Sequence, residues 1–496
     1  MTEHHNLQAA YNASEQCSTT TPLIVDLDGT LLRTDLLQES LLRLFKQSPW
    51  LIFIVPLWLT RGRAYLKRRV FQRVQIDLSL LPRNEELLLW LRGEKARGRR
   101  LVLATASDHD QARLVVEPLD LFDVVLGSEG RCNLRGRAKL QKITEHCGEE
   151  FDYVGNARCD LEVWRSSRRA ILVNTPRRIE RAVCAIGNLA QVFSRPTSRF
   201  PDILRATRFY QWVKNLLLFV PAITSHTILD GAITGNAALA FLSFGFAASG
   251  GYVLNDLLDL EEDRRHVVKK QRMFASGRTS IGSGLLFALV CLSLSIGIAG
   301  FLPSAFLMAL AGYIVLTLLY SLFLKGLLVV DVLTLALLYT LRIVAGNLAT
   351  GIVFSLWLLS FAFFLFLSLA FSKRAADLMQ HRSDSTGTLP GRGYVKADLE
   401  TVCIAGICSG YLSSLILALY IHSDIVQVLY SRPAILWGLQ PILLFYITRV
   451  WVICRRGELT EDPIQYTVTE PSTYVAALLA VAVMLAATFD FKLFGL

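Results

Sequence analysis

Asn255-Asp256-Leu257-Leu258-Asp259-Leu260-Glu261-Glu262-Asp263 follows directly on the apolar run 236–254, and its reading decides the fold of what surrounds it. At helical spacing Asn255, Asp259 and Asp263 step by four residues, with Asp256 and Glu262 beside them on one face. Carboxylates crowded onto one stripe repel each other unless a cation sits between them. At the mouth of a membrane helix such a stripe suits Mg²⁺ holding a diphosphate, because Mg²⁺ takes a few carboxylates plus substrate phosphate oxygens. A solvated acidic helix end is the plainer reading of the same residues.

Around this stripe the chain of 496 residues is 53% hydrophobic, yet its first two hundred residues are mixed and charged. That split predicts two domains of different kinds. Met1 to Thr20, rich in Ser, Thr, His and Asn, reads as a disordered tail rather than a signal peptide. The net charge of +10 is not gathered on one patch, which argues against nucleic acid as a partner. Nine cysteines show no CxxC and no paired spacing with histidine, so they read as reduced and structural.

Runs long enough to cross a bilayer lie at Trp212–Thr227, Asn236–Leu254, Ile281–Leu302, Ser304–Leu322, Leu327–Leu348, Ile352–Phe371, Leu399–Ile421, Pro433–Val452 and Thr473–Phe491. The first is short and interrupted by Pro221. Lys and Arg collect after the even-numbered runs: Arg264 to Arg278, Lys325, Lys373 to Lys396, then Arg455 and Arg456. The positive-inside rule then puts the amino terminus and the acidic stripe in the cytosol and the carboxyl terminus outside. Nine spans argue against a simple inverted-repeat transporter.

A second cytosolic helix end carries Lys373, Arg374 and Asp377, cations and one carboxylate that could supply donors for phosphate oxygens. The same residues also suit a plain positive-inside flank. Gln211-Trp212-Val213-Lys214-Asn215 opens the first span, either as a phosphate-facing string or as an interfacial anchor. Arg342, deep in the fifth span, reads as a structural cation pairing with helix carbonyls.

Together these features resemble the UbiA superfamily of intramembrane prenyltransferases, which has nine helices and an NDxxDxxxD motif after the second. Asn255, Asp256, Asp259 and Asp263 stand in that pattern. The usual second pair of aspartates is reduced to Asp377 behind Lys373 and Arg374, a departure that looks like the decaprenyl-phosphate phosphoribosyltransferase branch. The resemblance implies phosphoribosyl diphosphate as donor, a polyprenyl phosphate as nucleophile and Mg²⁺ as cofactor. It assigns metal to Asn255, Asp256, Asp259 and Asp263, with Asp256 and Asp259 catalytic. Phosphates would fall to Lys214, Asn215, Lys269, Arg272, Tyr320, Lys325, Lys373, Arg374 and Asp377. The alternative within the same resemblance moves a prenyl chain from its diphosphate to an aromatic acceptor. A transporter or lipid-binding scaffold is the reading from another class.

At the front, Leu23-Ile24-Val25-Asp26-Leu27-Asp28-Gly29-Thr30 is an apolar strand ending in two aspartates that point the same way. A parallel sheet carries its active site at that edge. One aspartate can attack phosphorus while the other serves as acid and base. The order of motifs over about 22–183 resembles haloacid dehalogenase (HAD)-type phosphatases. By that resemblance Thr105 binds phosphate, Lys139 stabilises the phosphorylated aspartate, and Asp26 with Asp160 holds Mg²⁺. Asn156 stands where that family has a further aspartate, so activity of this domain is expected to be weakened or lost, or to use Asp160 instead.

Between the first two motifs, about 32–99, lies a helical insertion at the position of a family cap. Its run Trp50 to Leu59, flanked by Arg61, Arg63, Lys67, Arg68 and Arg69, reads either as an anchor on anionic headgroups or as a buried cap helix. The fold expected is thus an α/β Rossmann-like HAD domain (21–185), a linker (186–204) and an all-α nine-helix UbiA-type transmembrane bundle (205–496). Covalent fusion raises local product concentration. That predicts a soluble half removing the ribose 5-phosphate from the product of the membrane half.

Overall fold

The computed structural model describes residues 21–130, 132–193, 207–266, 268–380, 391–459 and 470–488. The expected tail and most of the expected linker lie outside these. The chain forms two compact units, residues 1–203 with 256–286, and residues 204–255 with 287–496.

In the first unit six strands form one parallel sheet in the order β3-β2-β1-β4-β5-β6. They are β1 (Leu23–Val25), β2 (Leu101–Asp108), β3 (Val124–Ser128), β4 (Asp152–Gly155), β5 (Arg169–Val173) and β6 (Leu189–Phe193). Leu23 and Val25 enter the core on one face while Ile24 enters that on the other. Burial on both faces is why β1 is an unbroken apolar run. The strand order reverses beside β1, so the loop after it opens at the crevice where such sheets bind ligands. β6 lies inside the stretch expected as linker: its alternating residues complete the sheet edge.

Three helices of this unit matter for function. Helix α1 (Leu36–Gln47) begins at Asp35, whose carboxylate accepts from Gln38 N at 3.0 Å, and it buries Leu36 and Leu44. Helix α2 (Arg63–Phe71) belongs to the insertion and buries Ala64, Leu66 and Val70. Helix α3 (Arg137–Cys147) carries Lys139.

Eight of the nine expected spans are helices long and apolar enough to cross a membrane, counted among the described residues. Those used below are α4 (Gly231–Leu258), α6 (Ser304–Leu322), α7 (Val330–Thr350) and α8 (Leu356–Gln380). The span expected at Trp212–Thr227 differs. It is a 3₁₀ stretch, Phe209–Phe219, followed by a five-residue α-helix, Val220–Thr224, with Pro221 at its start. Proline tolerates that first-turn position because its missing N–H needs no partner there. The acidic stripe is likewise not one helix: α4 stops at Leu258, and α5 (Leu260–Arg265) restarts beyond Asp259.

Candidate active sites

In the first unit Asp26 and Asp28 leave the end of β1 on a loop turned by Gly29, whose φ of +74° favours glycine. A Cβ there would also meet the Asn156 amide at 2.0 Å, so this loop and the end of β4 close on each other only because position 29 is bare. Lys139 Nζ donates to Asp26 at 2.9 Å, and it lies 3.0 Å from Tyr153 Oη and 3.4 Å from Asp160. Asp160 also accepts from Tyr153 Oη and from the backbone N–H groups of Asn156 and Ala157. Asp28 accepts from Leu36 N at 2.9 Å and from the Ser107 hydroxyl. Thr105 is fully buried, three residues before the end of β2, and accepts from Ser107 N at 3.0 Å. Burial pushes Asp26 up to about 6, and burial with nearby Asp35 pushes Asp28 to about 7. Two carboxyls poised near neutrality at a sheet's switch point can divide nucleophile and acid roles.

Lys67 was read as part of a basic flank. It points instead into this site, donating to Ala106 O, and its pKa is lowered by burial and raised in part by Asp28. Around it Trp50, Phe53, Leu57 and Leu59 remain exposed on 49–60, with Phe53 83% exposed. Only Trp58 of that run is buried, and Arg73 lies over its ring at 4.9 Å.

The acidic motif brings together Asp256 and Asp263. Both accept from one nitrogen, Arg272 Nη1, at 3.1 and 2.8 Å. Burial pushes Asp263 up to about 6 against the opposing pull of Arg272. Asp259, the residue between α4 and α5, lies 3.6 Å from Lys46 Nζ. Glu262, placed by its spacing beside the stripe, lies 2.6 Å from the same ammonium. Glu261 pairs with Arg43 and Arg265. Asn255 is half-buried and Lys269 exposed. Among the described residues no three Asp, Glu, His or Cys side chains converge as a metal cage. Two carboxylates closing on one cationic nitrogen nevertheless suit Mg²⁺, which takes one or two carboxylates and fills its octahedron with phosphate and water. Asp26 and Asp160, sharing Lys139, form a second such pair.

In the second unit the expected phosphate donors are distributed otherwise. Arg374 is 1% exposed and pairs with Asp377; its Nη2 lies 2.7 Å from Asp331 Oδ2, an ion pair without hydrogen-bond alignment. Asp331 also accepts from Tyr394 Oη at 2.7 Å. Arg374 therefore neutralises a buried aspartate instead of presenting a free cation. Arg392 is more open. It donates to Tyr320 Oη at 2.8 Å, contacts the Lys325 carbonyl at 3.5 Å and lies 3.7 Å from Asp331. Lys325, three residues beyond α6, and Lys373, expected at a helix end but lying inside α8, are both half-buried.

Asn215 is turned to Arg342: its Oδ1 accepts from Nε at 3.0 Å, while Arg342 also donates to Leu338 O and Tyr313 Oη. That carbonyl contact is the structural pairing expected of Arg342. Lys214 lies over the Tyr339 ring at 5.6 Å and lines a cavity of about 1000 Å³ with Trp357, Phe366, Tyr420, Tyr430 and Tyr446. Asp331 and Tyr394 went unnoticed in the sequence, and Arg392 and Lys67 were read only as members of basic flanks. A lone charge at a helix end has no periodic signal to mark which way it turns.

Residues 218–457 match the UbiA prenyltransferase family. Uncharacterized protein y4nM of Sinorhizobium fredii is 36% identical over 470 residues, covering 94% of this chain and 91% of that protein. Decaprenyl-phosphate phosphoribosyltransferase of Corynebacterium glutamicum is 33% identical over 190 residues, covering 38% of this chain and 57% of that protein. The solved structure of a UbiA homolog from Archaeoglobus fulgidus bound to DMAPP and Mg²⁺ aligns over 57% of this chain and 99% of that one, at 21% identity and a TM-score of 0.45.

Proposed function

Because this chain belongs to the UbiA prenyltransferase family through residues 218–457, we propose that it is a multi-pass membrane transferase moving phosphoribose from phosphoribosyl diphosphate to a polyprenyl phosphate. The observation that carries the reading is the closure of Asp256, in the last turn of a membrane span, and Asp263, just beyond it, on a single cationic nitrogen. Likeness to a decaprenyl-phosphate phosphoribosyltransferase supports the choice of donor. The apolar cavity supports a lipid acceptor, since its tail would need such a volume.

Asn255, Asp256, Asp259 and Asp263 would hold Mg²⁺, which when bound neutralises charge on the departing diphosphate. Arg272 is placed to turn from the carboxylates to a phosphate. Within the second unit Arg392 and Tyr320, beside Lys325, form a separate group of phosphate donors. The lipid phosphate oxygen bonds to ribose C1 as the C1–O bond breaks, and diphosphate leaves with the electron pair. The reaction would require water to be kept from C1.

For the first unit the proposed role is HAD-type removal of the ribose 5-phosphate. Asp26 attacks phosphorus while Asp28, carrying a proton near neutral pH, gives it to the leaving ribose oxygen and then takes one from water. Asp26 and Asp160 would hold its Mg²⁺. Asn156 supplies an amide where a carboxylate would add charge, so turnover is expected to be slow. The proposed setting is the inner membrane, with the first unit cytoplasmic.

Membranes carrying the chain, given labelled phosphoribosyl diphosphate and separately labelled prenyl diphosphate, test the donor. Label should enter the lipid phase from the ribosyl donor alone. Entry only from the prenyl donor, onto an aromatic acceptor, would establish the conventional prenyltransferase reading instead.

A further inference from the structure

Helix α5 has six residues, too few to hold a helix by itself in water. The orientation of Asp263 and of Asp259 at its head must therefore come from tertiary partners. Helix α1 supplies them, within the same compact unit. Glu39, Arg43 and Lys46 stand three and four residues apart, on one helical face. Glu39 takes two hydrogen bonds from Arg264, at 2.6 and 3.2 Å, and one from Thr34 at 2.6 Å. Both partners of the Glu39–Arg264 pair are buried, so salt screens them little. Arg43 lies 2.9 Å from Glu261, and Lys46 lies 2.6 Å from Glu262 and 3.6 Å from Asp259. The signs match position by position along the helix, which fixes one rotation of α5 and no other.

The match extends to both sides. Gln38 Oε1 accepts from Gly282 N at 3.1 Å, and Arg265 lies 3.3 Å from Asp77. At its other end α1 begins on the phosphatase-like loop, where Leu36 N donates to Asp28 at 2.9 Å. A helix of 12 residues, about 18 Å long, thus runs from one carboxylate site to the other.

We infer that α1 is the positioning element of the acidic motif: Lys46, with Arg43, holds Asp259 and α5 so that metal-bound diphosphate is accepted. Lys46 is a positioning residue acting through Asp259 and Glu262. The inference rests on the reading of the motif as a metal–diphosphate site. It makes diphosphate binding by the membrane transferase dependent on a helix of the first unit.

The test uses the full chain in nanodiscs, with labelled inorganic diphosphate as probe and Mg²⁺ titrated. Wild type should bind. Replacing Lys46 and Arg43 together by Met should raise the Mg²⁺ needed for half-saturation at least fivefold, whereas Lys46→Arg should stay within twofold of wild type. Lys46→Glu should weaken binding in the same way, and adding Glu262→Lys should recover most of the loss. That rescue separates positioning from a general folding defect. Unchanged half-saturation in the Met variant, or a double swap no better than Lys46→Glu alone, would overturn the inference and leave the motif's reading standing. Absence of Mg²⁺-dependent binding by wild type would overturn both.

Discussion

Arg272 and Lys139 answer one electrostatic problem in two places. Each puts a single nitrogen between two carboxylates, Asp256 with Asp263 and Asp26 with Asp160. Like charges 4 Å apart repel by about 4 kcal/mol at an effective dielectric near 20, and an interposed cation offsets that repulsion. Among the described residues Asp28 has no such cation hydrogen-bonded to it, and burial holds it near 7. A carboxyl raised above its unfolded value favours the folded state when protonated. That contribution is complete below about pH 4 and is lost as pH rises through 7. Asp28→Asn should accordingly melt above wild type at pH 8 and show no such advantage at pH 4. Thermal unfolding of the detergent-solubilised chain measures this, and a gap independent of pH would contradict it. Asp26 and Asp28 were legible in sequence through strand period, whereas Lys139 and Asp160 entered only through the family resemblance; the structure brings Asp26, Lys139 and Asp160 together. Lys67 was not legible, because a cation beside an apolar run reads alike whether it faces lipid or turns into a pocket.

At the level of elements, short helices depend on their neighbours. The buried Glu39–Arg264 pair pins α5 to α1, and Glu39→Ala would leave Arg264 buried without its counter-charge. The expected loss is about 3–5 kcal/mol of local stability, read as faster hydrogen exchange over 256–286. Exchange unchanged there would show that the pair contributes little. The stretch 49–60 keeps Trp50, Phe53, Leu57 and Leu59 outward beside exposed Arg61, Arg63 and Arg68, a composition suited to anionic headgroups. A spin label at Phe53→Cys in nanodiscs should be reached by oxygen more readily than by a water-soluble nickel reagent. The opposite ranking would place the stretch in water. Hydropathy located eight spans, although α8 runs nine residues past its expected end, and it could not foresee the break at Asp259 or the 3₁₀ form of 209–219. The break falls at Asp259, which faces Lys46, and the 3₁₀ stretch ends just before Pro221; apolar content is blind to both.

On the scale of the whole molecule, a parallel α/β unit and a multi-pass helical unit share one chain, and the relative y4nM aligns over 94% of it. The division was visible in composition, since mixed charge gives way to apolar runs beyond residue 205. What composition could not reveal is that 256–286, the end of one span, the start of the next and the stretch joining them, packs into the first unit. Its charges are matched by α1, more than two hundred residues earlier, and no local pattern announces such a partner. The most direct measurement is diphosphate released from phosphoribosyl diphosphate by wild type and by the Asp256→Asn, Asp259→Asn double variant, with Mg²⁺ present. The expected result is a fall on the order of a hundredfold or more, as for loss of a principal charge-stabilising group. Release by the double variant within twofold of wild type would contradict the central claim that these carboxylates hold the metal on which diphosphate departs.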